Sequence, residues 1–357
     1  MSPDFKKATI DVLSKRAAFK CSNPDCRVST VGPNSDNNKS TSIGEAAHIY
    51  GARETSKRYI PDQTNVLRSD ITNAIWLCRN CHKLIDTDEN RFSVSTLFAW
   101  REHHENYILS ELGTATDKIH LEEQTALLLQ FKDHSPLIRR IVLDQPDGWE
   151  WRLTAELMRY LNNPLFRKLD DLNQGLYIKA QTHLNDEHVL DWIFKRLNEA
   201  SKMIEPFHGL LGKLTESFGP PGKSGSVEEI FHITNLIRDQ IEYMLKFEEV
   251  IHFTIVSSKY ENLLRLLKNM IGSQAKKLAN IPKQLDEVVE ISHQRIDEKL
   301  AKPLRIENII EFSVPENWEE NFDQEMRKVQ GRPSKKAEKY SKIFAIIIFI
   351  LFLVYVC

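Results

Sequence analysis

Four cysteines stand as two short-spaced pairs, Cys21-x4-Cys26 and Cys78-x2-Cys81, with 51 residues between the pairs. Thiolates presented by short loops suit a tetrahedral zinc ion, which takes soft ligands at little conformational cost to the chain. The fifth cysteine is Cys357. So few cysteines, so unevenly placed, exclude a disulfide-stapled secreted scaffold and point to metal binding in a reducing compartment. Around the pairs lie Glu45, His48, Asn73, His82 and Asp86. A neutral imidazole can take a proton from water near neutral pH. His82 and Asp86 are four apart in a stretch that reads as helical, so they share a face.

Two cysteine knuckles with a His, an Asn and a His in this order resemble the HNH endonuclease family, in the version stapled by a zinc on four cysteines. The resemblance covers roughly residues 8–110. It implies a β-hairpin followed by a helix, gripping one catalytic Mg2+ or Mn2+. Carried over, His48 in Ala46-Ala47-His48-Ile49 activates water, Asn73 holds the hairpin turn and orients His48, and His82 binds the catalytic metal. Many members carry a metal-binding Asp directly before the first His, where this chain has Ala47, and the Ala-His-Ile core resembles a subgroup that lacks it. Asp86 is the first candidate for the missing acid. Glu45 is the second, but it lies three before His48, so a regular strand turns it to the opposite face and a bulge is needed to bring it in.

These residues need elements to hold them. Residues 4–20 read as an amphipathic helix, Ser22–Asp25 as the turn between the first two cysteines, 42–50 as a first strand, 51–70 as a polar loop and 71–77 as a second strand. A helix starts at 82–86 and another covers 92–112, with His103 and His104 on its surface. Residues 1–112 carry 15 Lys plus Arg against 14 Asp plus Glu, so the domain is not basic overall. Arg53, Lys57, Arg58, Arg68, Arg79 and Lys83 are the candidates for contacting phosphates, which gives affinity without sequence reading. DNA ranks ahead of RNA as the substrate.

Beyond 112 the pattern turns helical, with candidates at 118–132, 150–162, 176–215, 226–272, 274–300 and 317–329. Asp144–Gly148, Gly219–Gly222 and Ile281–Pro282 break it. Gly222-Lys223-Ser224 looks like the end of a phosphate-binding loop, but Ser217 stands where that pattern requires Gly, so it reads as a linker. Trp149, Trp151, Trp192 and Trp318 read as packing residues.

The expected class is α+β. A small N-terminal ββα-metal domain with zinc knuckles (1–112) precedes a helical bundle that senses or docks a partner or a second copy (113–326). A basic segment (327–342) and an apolar C-terminal helix (343–357) follow. That last stretch has fifteen residues without charge. As a helix it spans about 22 Å, short of the roughly 30 Å of hydrocarbon. With the basic run before it, the expectation is a single-pass tail anchor on the cytoplasmic face of the inner membrane. The net charge of −2 excludes a general polybasic binder. The leading function is a membrane-tethered HNH endonuclease, placed by analogy in defence against foreign DNA. The alternative is a catalytically inactive zinc-knuckle adaptor for nucleic acid or protein.

Overall fold

The computed structural model describes residues 3–112, 126, 128–220, 222–297, 304–313, 317–330 and 348–356. The chain divides into two compact units, Met1–Trp149 and Glu150–Cys357.

The first unit is mixed α and β. Its elements are α1 (Lys7–Arg16), β1 (Val31–Pro33), β2 (Ser40–Ser42), β3 (Gly44–His48), α2 (Asn65–Arg68), β4 (Ala74–Cys78), α3 (Arg79–Thr87), α4 (Val94–Leu112) and α5 (Pro136–Asp144). Strands β3 and β4 pair antiparallel without a break, from Gly44 opposite Cys78 to His48 opposite Ala74. A single 3-10 turn, Ile71–Asn73, occupies the start of the second expected strand. Every residue of β4 is buried. Its apolar run therefore packs on both faces, and each large side chain taken from water contributes about 2 kcal/mol. One cluster joins Leu13, Ala17, Ala74 and Trp76, with Phe5 and Ala46 packed against it. The Trp76 indole donates to Thr30 Oγ1 at 2.9 Å. Gly44 makes room for that ring, because a Cβ there would lie 2.2 Å from Trp76 Cζ2.

Buried charge locks the base of the hairpin. Arg101 of α4 is 1% exposed. Its guanidinium donates to the Ala74 carbonyl at 2.7 Å and to Asp144 at 3.1 Å. Arg140 pairs with Asp144 and Glu105, and Arg16 pairs with both acids as well. Removing one member would strand the others in a low dielectric. His104 belongs to this interior: it is 1% exposed, and its Nε2 donates to the Ala17 carbonyl at 3.1 Å. The sequence reading placed it on the surface. The helical face it occupies is covered by the end of α1, which local periodicity does not reveal. His103 is exposed, as expected.

The second unit is mainly helical: α6 (Trp149–Asn173), α7 (Asp186–Lys202), α8 (Glu205–Ser217), α9 (Val227–His252), α10 (Glu261–Leu267), α11 (Met270–Lys277), α12 (Ile281–Asp297) and α13 (Trp318–Gln330). The expected 150–162 helix runs on through Pro164 to Asn173. The expected 176–215 and 226–272 helices are each divided. Short strands β5 (Thr182–His183) and β6 (Thr254–Ile255) pair parallel in the intervening stretches. The expected 118–132 helix lies largely outside the described residues. Gly219, Lys223 and Ser224 fall between α8 and α9, as a linker should.

The C-terminal apolar helix is not what the structure shows. Ile348–Val356 is a strand, β8, paired antiparallel with β7 (Leu304–Phe312) from Leu304 opposite Val356 to Phe312 opposite Ile348. The physical reason is composition together with a partner. Seven of its nine residues are Ile, Phe, Val or Tyr, which favour strands. An apolar stretch without alternation does not distinguish helix from strand by period. Among the described residues, no helix is long and apolar enough to cross a membrane. The basic 331–342 stretch lies outside the described residues.

Candidate metal centre and its surroundings

The two cysteine pairs meet. The Sγ atoms of Cys21, Cys26, Cys78 and Cys81 all lie within 4.8 Å of one another. Cys26 Sγ and Cys78 Sγ are 3.9 Å apart. Four sulfurs about 2.3 Å from one zinc lie about 3.8 Å from each other at the tetrahedral angle, so the cluster fits that ion. Local hydrogen bonds shape it. The Cys26 N–H donates to the Asn23 carbonyl and the Asp25 N–H to Asn23 Oδ1, closing the turn between the first pair. The Ser22 N–H donates to the Trp76 carbonyl, which fastens that turn to β4. Cys78 immediately precedes α3, and Cys81 lies in its first turn. Asn23 Nδ2 donates to Cys81 Sγ at 3.3 Å, the kind of outer contact that steadies a thiolate ligand. Burial pushes the Cys81 thiol up to about 11 and raises Cys21 further. Such thiols ionise when a cation shares their site.

Asn73 sits at the head of the hairpin and is fully buried. Its Oδ1 accepts from the Tyr50 N–H at 2.8 Å, while Nδ2 donates to the carbonyls of Tyr50 at 3.0 Å and Arg68 at 2.9 Å. The side chain thereby ties the chain leaving β3 to the chain entering β4. It holds the chain just beyond the end of β3, where His48 stands, and does not itself touch the imidazole among these contacts.

His82, Glu45 and Asp86 come together. His82 Nδ1 is 2.8 Å from Glu45 Oε2, and His82 Nε2 is 3.6 Å from Asp86 Oδ2. Glu45 gets there without a bulge, since the β3–β4 ladder is regular through that position. The strand does turn Glu45 away from His48, as alternation requires. What spacing could not show is that α3 lies on the Glu45 side. Arg79 also binds Glu45, Nε to Oε1 at 3.0 Å. The hydrogen bond from His82, reinforced by Arg79, holds the Glu45 carboxyl below the usual range.

Proton bookkeeping sharpens this arrangement. A carboxylate accepts only, so His82 Nδ1 carries the proton that faces Glu45. In the neutral ring Nε2 then bears a lone pair, and it faces a carboxylate oxygen. A cation between two acceptors in that position, either an added proton on Nε2 or a metal ion, draws them together. Two ligands about 2.1 Å from one ion at 90–110° lie about 3.0–3.4 Å apart, close to the observed span.

His48 lies on the other side of β3, beside Ala46. Its Nε2 is 3.0 Å from the Pro3 carbonyl oxygen. The Phe5 ring stacks on the imidazole, with centroids 3.9 Å apart and planes at 15°. Burial keeps His48 below the ordinary histidine range, with the Pro3 carbonyl and Asp4 acting against it. Ala47, on the Glu45 side, is completely buried.

The six candidate phosphate-contacting residues divide into two groups. Arg53, Lys57, Arg79 and Lys83 are exposed. Arg68 is 2% exposed and donates to the Gly51 carbonyl at 2.7 Å and to the Ile60 carbonyl. The Arg58 side chain is 5% exposed. It donates to the carbonyls of Ile49 at 2.9 Å and Ile85 at 2.7 Å, and its Nη2 donates to Asp86 Oδ1 at 3.1 Å. Both arginines organise the long loop from inside. Arg58 additionally fixes one oxygen of Asp86 and leaves Oδ2 turned toward His82, a role that sequence spacing did not suggest. Searches for a matching family model, curated protein or solved structure return none for this chain.

Proposed function

We propose that the chain is a metal-dependent phosphodiester hydrolase of the HNH kind, acting on DNA. The observation that carries this reading is the pair of facing acceptors, His82 Nε2 and Asp86 Oδ2 at 3.6 Å, with the proton of His82 committed to Glu45. In this reading His82 and Asp86 hold a divalent ion. Glu45 supports His82 from its far nitrogen, in the manner of a carboxylate–histidine–metal relay. Mg2+ or Mn2+ bound there supplies positive charge to the scissile phosphate and the departing 3′ oxygen. Neutral His48 takes a proton from the attacking water. Exposed Arg53, Lys57, Arg79 and Lys83 meet the phosphate backbone, so binding is salt-sensitive and weakly sequence-selective. The zinc cluster is scaffold: it ties the turn at Cys21–Cys26 to the junction of β4 and α3, from which His82 and Asp86 project. The second unit is the element that docks a regulator or a second copy.

The test is plasmid cleavage by the full-length chain in Mg2+ or Mn2+, with His48→Ala and Asp86→Asn alongside. Loss of cleavage in both variants, with zinc retained, is the expected result. A chain that binds DNA in a salt-dependent way but cuts under none of these conditions is an adaptor, and the hydrolase reading fails. Membrane attachment through 343–357 belongs to the same proposal and rests on the apolar composition of that stretch. Flotation with lipid vesicles checks it, and a full-length chain that remains in the aqueous fraction without detergent refutes it.

A further inference from the structure

Three contacts from one short segment converge on His48. The Pro3 carbonyl oxygen meets Nε2 at 3.0 Å. The Phe5 ring lies parallel against one face of the imidazole at 3.9 Å. Asp4, between them, grips Arg53 Nη2 with both oxygens, at 3.0 and 3.1 Å. Arg53 belongs to the loop that follows β3, so this grip pins the segment beside the strand that carries His48.

A carbonyl oxygen has lone pairs and no proton, so Nε2 is the donor in that contact. A neutral imidazole protonated at Nε2 carries its free lone pair at Nδ1. The Phe5 stack restricts rotation of the ring, which would carry Nε2 away from the Pro3 carbonyl. Burial favours the neutral ring, with the Pro3 carbonyl and Asp4 opposing and Arg53 assisting. His82 is held in the opposite sense, since its Nδ1–H donates to Glu45 and Nε2 is the nitrogen turned toward Asp86. Each histidine thus has a different nitrogen free, and each is set by an oxygen on its far side.

We propose that Pro3–Phe5 is a positioning segment that holds His48 in the Nε2-protonated form and so makes Nδ1 the nitrogen that takes the proton from water, a step that rests on the hydrolase reading above. In that step the water oxygen bonds to phosphorus and its proton passes to Nδ1. The bond from phosphorus to the 3′ oxygen breaks, and that oxygen takes a proton from solvent. The imidazolium then returns its proton to solvent.

The experiment is a long-range 1H–15N correlation on the full-length chain labelled with 15N-histidine, with the His48 signals assigned by their loss in His48→Ala. Wild type should show a bare Nδ1 and a protonated Nε2. The double variant Asp4→Ala, Phe5→Ala should show a mixture of tautomers. Its cleavage should fall about tenfold in kcat with KM unchanged, the order of effect expected when a catalytic group is loosely held. Phe5→Tyr, which keeps the stack, should behave as wild type. A protonated Nδ1 in wild type overturns the proposal, as does a double variant with an unaltered tautomer. Faster cleavage by the double variant also overturns it, because the segment would then be a brake. If the tautomer responds as expected while His48→Ala still cleaves normally, the hydrolase reading falls and the positioning contact stands.

Discussion

Replacing Cys26 with Ala tests the scaffold role of the cysteine cluster. Cys26 is half-buried, unlike the other three, so truncating its side chain opens little cavity and isolates the loss of a ligand. A zinc ion joining Cys26 to Cys78, whose sulfurs are 3.9 Å apart, would close a loop of 52 residues. Treated as a cross-link, that closure removes about 14 cal/mol/K of entropy from the unfolded chain, or about 4 kcal/mol at 25 °C. A domain's whole stability is about 5–15 kcal/mol, so the loss is a large fraction of it. Loss of the metal–sulfur bonds adds to this, because the free energy of binding a structural zinc is part of the free energy of folding. The expected outcome is a chain with under half of the wild-type zinc and a first unit that is unfolded or protease-sensitive at 37 °C. Zinc is measured by mass spectrometry of the dialysed protein and folding by limited proteolysis and thermal melting. Cys26→Ala combined with Cys81→Ala should be hardly worse than either alone, because the first substitution already releases the ion. A Cys26→Ala protein with full zinc and an unchanged melting temperature would refute the reasoning and make the cluster a group of buried thiols.

Asn73→Ala removes three hydrogen bonds at the hairpin head and leaves the Tyr50 N–H and two carbonyls in an interior that water does not reach. At about 1 kcal/mol per bond the first unit should lose about 3 kcal/mol, visible as a lower midpoint in denaturant. In the second unit, Glu248 is fully buried and accepts from the N–H groups of Asn269, Ile271 and Gly272. Burial nonetheless pushes its carboxyl up to about 7. Its folded value therefore lies above the unfolded one, so the folded state binds the extra proton between about pH 4.5 and 7. Stability from this group is present at the low end of that window and lost as pH rises through it. Wild type should lose melting temperature relative to Glu248→Gln between pH 5 and 8, and parallel curves for the two proteins would contradict the assignment.

Two kinds of information separate in this molecule. Metal-ligand spacing is local. A pair of cysteines with two or four residues between them can turn back on itself, so the cluster was readable before any fold was known. The helix carrying His82 and Asp86 was readable for the same reason, since a four-residue step on a helix always shares a face. Asn73 followed from its place between two strands. The side of the strand that α3 covers was not readable. Alternation says that Glu45 and His48 point apart, but it does not say which of them meets a helix that starts more than 30 residues later.

Arginines show the same limit. By sequence, Arg58 and Arg68 were indistinguishable from Arg53, Lys57, Arg79 and Lys83, all cations near the two cysteine pairs and the histidines. Folding buries two of them against carbonyl groups, because a long loop must satisfy its own backbone and a guanidinium supplies five donors to do it. The apolar stretch at 348–356 marks the limit most clearly. Its composition is apolar throughout. Whether such a run forms a helix or a strand depends on a partner, because a helix closes its hydrogen bonds within itself and a strand cannot. Only the tertiary structure supplies β7 from residues 304–312. The sequence alone determined which atoms can bind metal and move protons, since those are properties of side chains and short spacings. The tertiary structure decided which of those atoms face one another, since that depends on contacts between elements far apart in the chain.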